Sequence, residues 1–407
     1  VITTQADLEA ALLVGGDVIC DPTVTIALTD TMAVALPTRL LGGTFTIDAG
    51  PAFEVTSSDV EIGGLSIAGG IGGGFDDTQK LIYVLGTSEA PLSRVDIHDC
   101  HLSDSAADNI WVEWCVDSTV HDNIIEHYLY SGIMVISGSG LTIADNVISD
   151  ATIAAGQLNC YGIALTDLDN TLAARTHNCS VVGNRINLID WEGIDTHGGT
   201  DLVITGNVVT ACHRGIALVT GNATRVTSPT NCVVSGNVVD GTGARVTPDI
   251  GVFLSGISGQ PASATVTGNQ VVGYDSAQPF SANFYNRGDT YIGGNSRPFM
   301  PWTAVPLATG FTGNATFPPM YMVDGNTVSF RGGVVPPAGG MPANPQIGTL
   351  ASAAWPEHRT FYATTKSSNA AGGIGTLNVD IDGKFRVDYA STSDTFTWWL
   401  TGSYQAI

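Results

Sequence analysis

The sequence predicts an all-β solenoid, a right-handed parallel β-helix with an N-terminal cap, followed by a C-terminal antiparallel β-sandwich, and three observations predict it. The first is a recurring phrase, apolar–x–(Asp or Gly)–Asn. It occurs as Val120-His121-Asp122-Asn123 and Ile143-Ala144-Asp145-Asn146 and, with Gly for Asp, in the phrases ending at Asn184, Asn207, Asn237 and Asn269. Cys100 fills the same slot, and the steps from slot to slot are 23, 23, 38, 23, 30 and 32 residues. The chain is therefore an array of similar units. The second observation is the content of each unit: short period-two runs rich in Val, Ile and Thr, punctuated by Gly, Asn and Asp, which is strand-and-turn chemistry. A 23-residue unit holds roughly three strands of about 4–5 residues and three turns, one coil of a β-helix. The third is the asparagine itself. With coils stacked about 4.8 Å apart, an asparagine at the same turn of each coil can bond to those above and below, which satisfies amides that would otherwise be buried without partners.

The elements follow in order. Residues 1–39 are expected to cap the stack, with a short amphipathic helix over Thr4 to Leu13 whose start carries Thr and Asp, because the open edge of the first coil must be covered. Coils are expected over 40–297, with irregular insertions at 69–80, 150–160, 167–178, 220–230 and 241–249. In repeat proteins such insertions are where function concentrates. After Arg297-Pro298 the asparagine register stops, and 298–407 reads as strands joined by Gly- and Pro-rich turns, a small antiparallel sandwich. Asp324-Gly325-Asn326 and Asp382-Gly383 mark hairpins. Asp380-Ile381-Asp382-Gly383 lacks the closing Glu of a calcium loop and is read as a turn. Trp398 and Trp399 are consecutive in a strand and so face opposite ways. A thin sandwich hides one of them, and the other is left for solvent, a glycan or another subunit.

Composition narrows the function. Of 407 residues, 43% are apolar and 13% charged, which is ample material for a core. A net charge of −23 opposes nucleic acid or an anionic membrane as partner, since both would be repelled, and leaves a neutral glycan open. No run of 18 apolar residues and no basic-then-apolar leader are present, so neither a membrane span nor a signal peptide is expected. The seven cysteines lack CxxC spacing. Cys179 and Cys232 share a register two coils apart, roughly 9.6 Å by strand spacing, too far for a disulfide. Buried free thiols are expected, as suits assembly in a reducing cell, with zinc on Cys100, Cys115 and His98 or His101 as the alternative.

A second ladder follows each asparagine: 109–113, 132–136, 162–166, 193–197, 215–219 and 251–255. Its second and fourth places are apolar or Thr and point inward, while the third and fifth point outward. The unit Asp190-Trp191-Glu192-Gly193-Ile194-Asp195-Thr196-His197 is densest in titratable groups. Asp195 and His197 share the outer face about 7 Å apart along the strand. Register sets Arg214 above Glu192, His213 above Trp191 and Tyr161 below Glu192. Two carboxylates, one protonated and one ionised, can hydrolyse a glycosidic bond. Asp195 and Glu192 are the expected pair, with Asp190 as substitute. His197 would position Asp195, Arg214 would hold an acid ionised or bind an acidic sugar, and Trp191 would stack on a ring. Asp104, Asp108, Trp111, Glu113 and Trp114 form a second cluster, in which Trp111 and Glu113 offer a sugar platform beside an acid. Asp99, Asp122 and Asp145 stack like charges about 4.8 Å apart, where calcium is the alternative to solvated turns. No metal or other cofactor is expected. The plain alternative for the whole patch is a solvated set of surface ion pairs.

The order of parts resembles bacteriophage tailspike and tail receptor-binding proteins. Leu40-Leu41-Gly42-Gly43-Thr44-Phe45-Thr46-Ile47-Asp48 looks like the start of many tailspike β-helices. The pieces Pro318-Pro319-Met320-Tyr321, Asp324-Gly325-Asn326-Thr327-Val328, Trp355-Pro356 and Trp399-Leu400-Thr401-Gly402-Ser403-Tyr404 look like a C-terminal module of tail fibres. The resemblance implies a homotrimer on a virion tail, assembled in the host cytoplasm, that binds and often cuts a bacterial cell-surface polysaccharide and meets other tail proteins through sequence upstream of Val1. It also directs attention to the outward ladder as the site of the groove. A non-catalytic adhesin of the same fold is the second expectation, and a polysaccharide lyase using Arg214 or His197 with calcium is the third.

Overall fold

The computed structural model describes residues 1–167, 175–220, 227–256 and 262–274 and, beyond these, strands and short connections up to Gln405. It divides into two units, Val1–Arg297 and Pro298–Ile407.

In the first unit the described strands form three long parallel sheets of 11, 10 and 10 strands, and each strand of these pairs with the one three places on in sequence, or four places on where an extra two-stranded parallel sheet of Leu92–Ser93 and Cys115–Val116 intervenes. That order is a solenoid of three-strand coils. A helix over Gln5–Leu12 opens the chain. Thr4 lies extended before it, and its hydroxyl accepts the amide of Asp7 at 3.2 Å, the expected N-cap. Leu8 and Leu12 are buried against the first coil. That coil consists of Gly16–Ile19, Thr25–Leu28 and Met32–Val34, so stacking starts well ahead of Leu40.

The asparagine column is continuous. Asn123, Asn146, Asn184, Asn207 and Asn237 each donate Nδ2 to the Oδ1 of the next asparagine at 2.8–3.0 Å. All of them, with Asn269, are fully buried. Cys100, in the same slot, gives its amide to Asn123 Oδ1 at 3.0 Å. The residue before each asparagine is left-handed: Asp99, Asp122 and Asp145 have φ of 53°, 55° and 55°, and Gly183, Gly206, Gly236 and Gly268 have φ of 65–71°. The alternation of Asp and Gly in the phrase therefore follows from backbone conformation, which these residue types tolerate best. Asp99 and Asp122 turn to His98 and His121 at 2.8 and 2.7 Å, and those two rings stack at 5.3 Å. The column of aspartates does not converge on a common cation position.

Ile110, Ile133, Ile163, Ile194 and Ile216 line up as an inward column of the third sheet, each with no exposed surface. Burying each such side chain stabilises by about 1.5–3 kcal/mol. All seven cysteines are free and buried, and burial pushes thiols such as Cys100 and Cys212 up to about 12. All seven pack in the hydrophobic core, and among the described residues none joins a cluster of three or more groups placed to hold a metal ion.

In the second unit the described strands form antiparallel sheets of 4 and 7 strands. Met320–Asp324 and Thr327–Arg331 pair with Asp324 opposite Thr327, and Ile374–Val379 pairs with Lys384–Asp388. The strands flanking both expected hairpins are thus antiparallel neighbours, while the Asp382-Gly383 turn lies outside the described residues. Trp398–Trp399 is a strand between Gly333–Val335 and Thr360–Lys366. The directions of its two indoles also lie outside the description.

Candidate functional site

The strand Glu192–His197 lies in the third sheet between Tyr161–Thr166 and Arg214–Val219. Register pairs Tyr161 with Glu192 and Glu192 with Arg214, as the repeat spacing requires. Gly193 decides which side chains meet. A Cβ on it would sit 2.4 Å from Val209 Cγ1 and 3.2 Å from Cys212 Sγ, so its Cα faces the core, as does the next residue, Ile194. Two successive inward positions break the period-two alternation while the register with both neighbouring strands stays unshifted. Glu192 consequently stays on the same side as Asp195 and His197. One ligand atom from each of these three lies within 4.8 Å of the other two, a set able to hold a divalent cation.

The trio is not a solvated surface patch. Asp195 is 0% exposed and Glu192 2%; the outward face predicted from alternation is real, but it is covered here. His197 Nε2 is 2.9 Å from Asp195 Oδ2, and its Nδ1 donates to the carbonyl of Thr220 at 3.0 Å. Asp195 Oδ1 finds no hydrogen-bond donor among the described residues. Burial works against a charged His197, but the Asp195 carboxylate outweighs it and the imidazole is pushed up to about 9. Burial, reinforced by Asp195, drives Glu192 well above the usual carboxylate range even though Arg214 opposes it. Two neighbouring acids in one dry site cannot both ionise cheaply.

Arg214 donates from one guanidinium nitrogen to Glu192 and from another to Asp249, both at 3.0 Å, and its guanidinium lies 4.9 Å from the Trp191 ring centre. His213 also stacks on that indole, ring centres 4.8 Å apart, so the ring expected to meet a sugar is already engaged twice. Asp190 is drawn elsewhere. Arg245 binds it at 2.8 Å and also reaches Asp150 and two backbone carbonyls. The substitute acid therefore serves to tie insertion 241–249 to the coils.

Beside the trio lies a cavity of about 230 Å³ walled by Trp111, Tyr130, Asn159 and Tyr161, floored by Met134, Ile136, Ala164 and Thr166, and closed at one end by His197. Tyr161 meets Tyr130 edge-on at 5.6 Å and His197 at 6.2 Å. Trp111 donates Nε1–H to Glu113 at 3.3 Å, and the Lys80 ammonium lies 4.6 Å from its ring centre. The expected Trp111–Glu113 pairing thus forms at the far end of this cavity. The rest of the second cluster disperses. Asp104 binds His127, Trp114 sits in a left-handed turn, and Asp108 is buried against Ser131 and Lys80. Burial pushes Asp108 up to about 7.

Sequence reasoning missed Tyr130, Asn159, Thr220, Arg245 and Asp249. Tyr130 and Asn159 precede regular strands, and the rest lie in or beside insertions that have no period to align. A usable signal did exist in Met134 and Ile136, apolar residues at outward ladder positions where solvent should favour polar ones.

A family model for a right-handed β-helix region matches residues 52–296. No curated protein matches the sequence. Among solved structures, the enzymatically active domain of tailspike protein 2 from bacteriophage CBA120 aligns over 98% of this chain and 67% of its own, at 13% identity and TM-score 0.51. The full-length tailspike protein 2 of the Escherichia coli O157:H7 bacteriophage aligns over 97% and 60%, at 14% identity and TM-score 0.48. The A-module of Azotobacter vinelandii mannuronan C-5 epimerase aligns over 71% and 94%, at 15% identity and TM-score 0.42. The first of these, with TM-score 0.51, shares the fold. With the family match spanning more than half its length and the three parallel sheets of its coils, this chain belongs to the right-handed β-helix family.

Proposed function

We propose that this chain is a phage tailspike or receptor-binding protein whose β-helix binds a bacterial cell-surface polysaccharide and hydrolyses its glycosidic bonds at Glu192 and Asp195. The observation that carries this reading is the juxtaposition of an aromatic-walled cavity with two buried acids, Glu192 and Asp195, that each bring an oxygen within 4.8 Å of the other. Aromatic faces suit sugar rings, and Glu192, driven by burial toward its protonated form, suits a general acid.

In this mechanism Glu192, kept protonated by its surroundings, gives its proton to the leaving oxygen while Asp195 attacks the anomeric carbon. Water then cleaves the glycosyl–enzyme bond, returning its proton to Glu192. One oxygen of each acid within 4.8 Å of the other is nearer the spacing of about 5–5.5 Å used by retaining enzymes than the about 6.5–9.5 Å of inverting ones. Because Asp195 is covered and His197 keeps 26% of its side chain exposed, the sugar enters past His197, which swings away from Asp195 to admit it. Homotrimerisation through 298–407 as a sandwich, a boundary at 297/298, attachment to other tail proteins and a place on the virion tail belong to the same proposal. They are supported by the likeness of fold to a tailspike domain.

A second reading, a non-catalytic adhesin, is favoured by one observation: both nitrogens of His197 are already engaged and Asp195 has no exposed surface. Incubation with surface polysaccharide from a sensitive bacterium separates the two. Release of oligosaccharides, lost in Glu192→Gln and Asp195→Asn, supports hydrolysis. Binding without release supports the adhesin. An unsaturated product absorbing in the ultraviolet, abolished by chelator, would replace both with a lyase.

A further inference from the structure

The cavity beside His197 has a composition that selects among sugars. Its floor comes from two outward columns of the third sheet, Trp111–Met134–Ala164–Asp195 and Glu113–Ile136–Thr166–His197. At about 4.8 Å per coil, the three steps from Trp111 to Asp195 span about 14 Å. Outward positions of a β-helix normally meet water, yet Met134, Ile136 and Ala164 are 4% exposed or less and form an apolar cluster separate from the core. Between Met134 and Asp195 the column shrinks to the single methyl of Ala164, and that drop in size makes the hollow. Its volume of about 230 Å³ is below the roughly 300–1,000 Å³ of sites for drug-sized ligands and matches one monosaccharide.

Charge narrows the choice further. No Lys or Arg lines the cavity among the described residues. His197, its one ionisable base, gives its protons to Asp195 and the Thr220 carbonyl. Arg214 is held by Glu192 and Asp249, and the chain carries a net −23. Among the described residues a sugar carboxylate would find no unengaged cation here, since the Lys80 ammonium over Trp111 is held by Asp108 and the Asp77 carbonyl, and it would meet two buried acids nearby, which disfavours it. An apolar substituent, in contrast, would cover Met134, Ile136 and Ala164 and displace water that has few partners on that floor.

We propose that this cavity is a specificity subsite for one uncharged hexopyranose carrying a methyl group, supplied either by a 6-deoxy carbon or by an N-acetyl substituent, with the ring against the aromatic wall and the methyl on the Met134–Ala164 floor. This rests on the polysaccharide-binding reading and adds the chemistry of the bound residue.

The test is ligand-observed NMR titration of the full chain with four methyl glycosides: a hexose, its 6-deoxy analogue, its N-acetylamino analogue and its uronate. One or both methyl-bearing glycosides should bind about tenfold more tightly than the hexose, the scale of one well-placed methyl group, and the uronate more weakly than the hexose. Which of the two binds identifies the source of the methyl. Ala164→Leu, which fills the hollow from an outward position, should abolish the preference while the circular-dichroism spectrum and melting temperature hold. Ile136→Ser, which leaves the hollow open, should reduce the preference without blocking binding. Equal binding of all four, tighter binding of the uronate, or a preference unchanged in Ala164→Leu overturns the subsite. If none of the glycosides binds while intact surface polysaccharide does, the subsite is also overturned and the general reading stands. If the polysaccharide fails to bind as well, both fall.

Discussion

Replacing Asn184 by alanine tests the central structural element of the coil stack. Its Nδ2 donates to Ile143 O and to Asn207 Oδ1 at 3.0 Å each, and its Oδ1 accepts from the backbone and side-chain nitrogens of Asn146 at 3.1 and 2.9 Å. In Asn184→Ala the Asn207 oxygen keeps the Asn184 amide, 2.9 Å away. Four other groups lose a partner inside the protein: the Val182 carbonyl, which keeps the Asp145 amide at 3.0 Å, and the Ile143 carbonyl, the Asn146 amide and one Asn146 side-chain proton, which are orphaned. Each orphaned buried group costs about 1–3 kcal/mol, and taking about 1.3 for each gives about 4 kcal/mol. For a unit of this size, at roughly 2 °C per kcal/mol, the melting temperature should fall by about 8 °C. Asn187→Ala is the control, because Asn187 is exposed and contacts only the Thr210 hydroxyl in the same sheet; its effect should stay within about 0.5 kcal/mol. Differential scanning calorimetry of both variants at one scan rate decides the matter. Equal melting temperatures for Asn184→Ala and Asn187→Ala would show that the column is not what holds successive coils together.

Three further outcomes are expected. Glu192, Asp108 and His197 all have raised folded-state values, so each favours its protonated form in the folded protein; the stability they contribute is full below their unfolded values and is lost as pH rises through the folded ones. The melting temperature should therefore decline between about pH 5 and 9 by way of these groups, and Glu192→Gln should flatten the slope; a slope unchanged in that variant refutes the assignment. Gly193→Ala places a methyl 2.4 Å from Val209 and 2.9 Å from the Gly215 carbonyl. It should destabilise by about 1–3 kcal/mol and pull Glu192 out of the cluster, seen as a loss of cleavage exceeding the loss of folded protein in denaturant titrations. If the chain cleaves polysaccharide, the first-formed product should keep the anomeric configuration of the substrate in time-resolved proton NMR, and an inverted product would rule out Asp195 as nucleophile.

The architecture was legible because a solenoid writes its geometry into the spacing of the chain. The Asn123–Asn269 register, the inward isoleucines and the placement of Arg214, Glu192 and Tyr161 in one column all follow from a near-constant step between stacked strands. The neighbour pairs Trp191–His213 and Trp111–Glu113 follow the same rule. Reading failed where periodicity ends. Asp190 seemed to belong with Glu192 and Asp195 because it is close in sequence, yet Arg245, from an insertion 55 residues further on, claims it.

Sequence alone thus determined which side chains share a column, since alternation along a strand and repetition between coils are local properties that recur. Tertiary structure decided how those columns are used. The two successive inward positions at Gly193 and Ile194 put Glu192 on the side of Asp195, and Tyr130 and Asn159 closed over an apolar floor. Neither the cover nor the charge states beneath it could be counted from the repeat, because desolvation depends on everything packed around a group and not on its place along the chain.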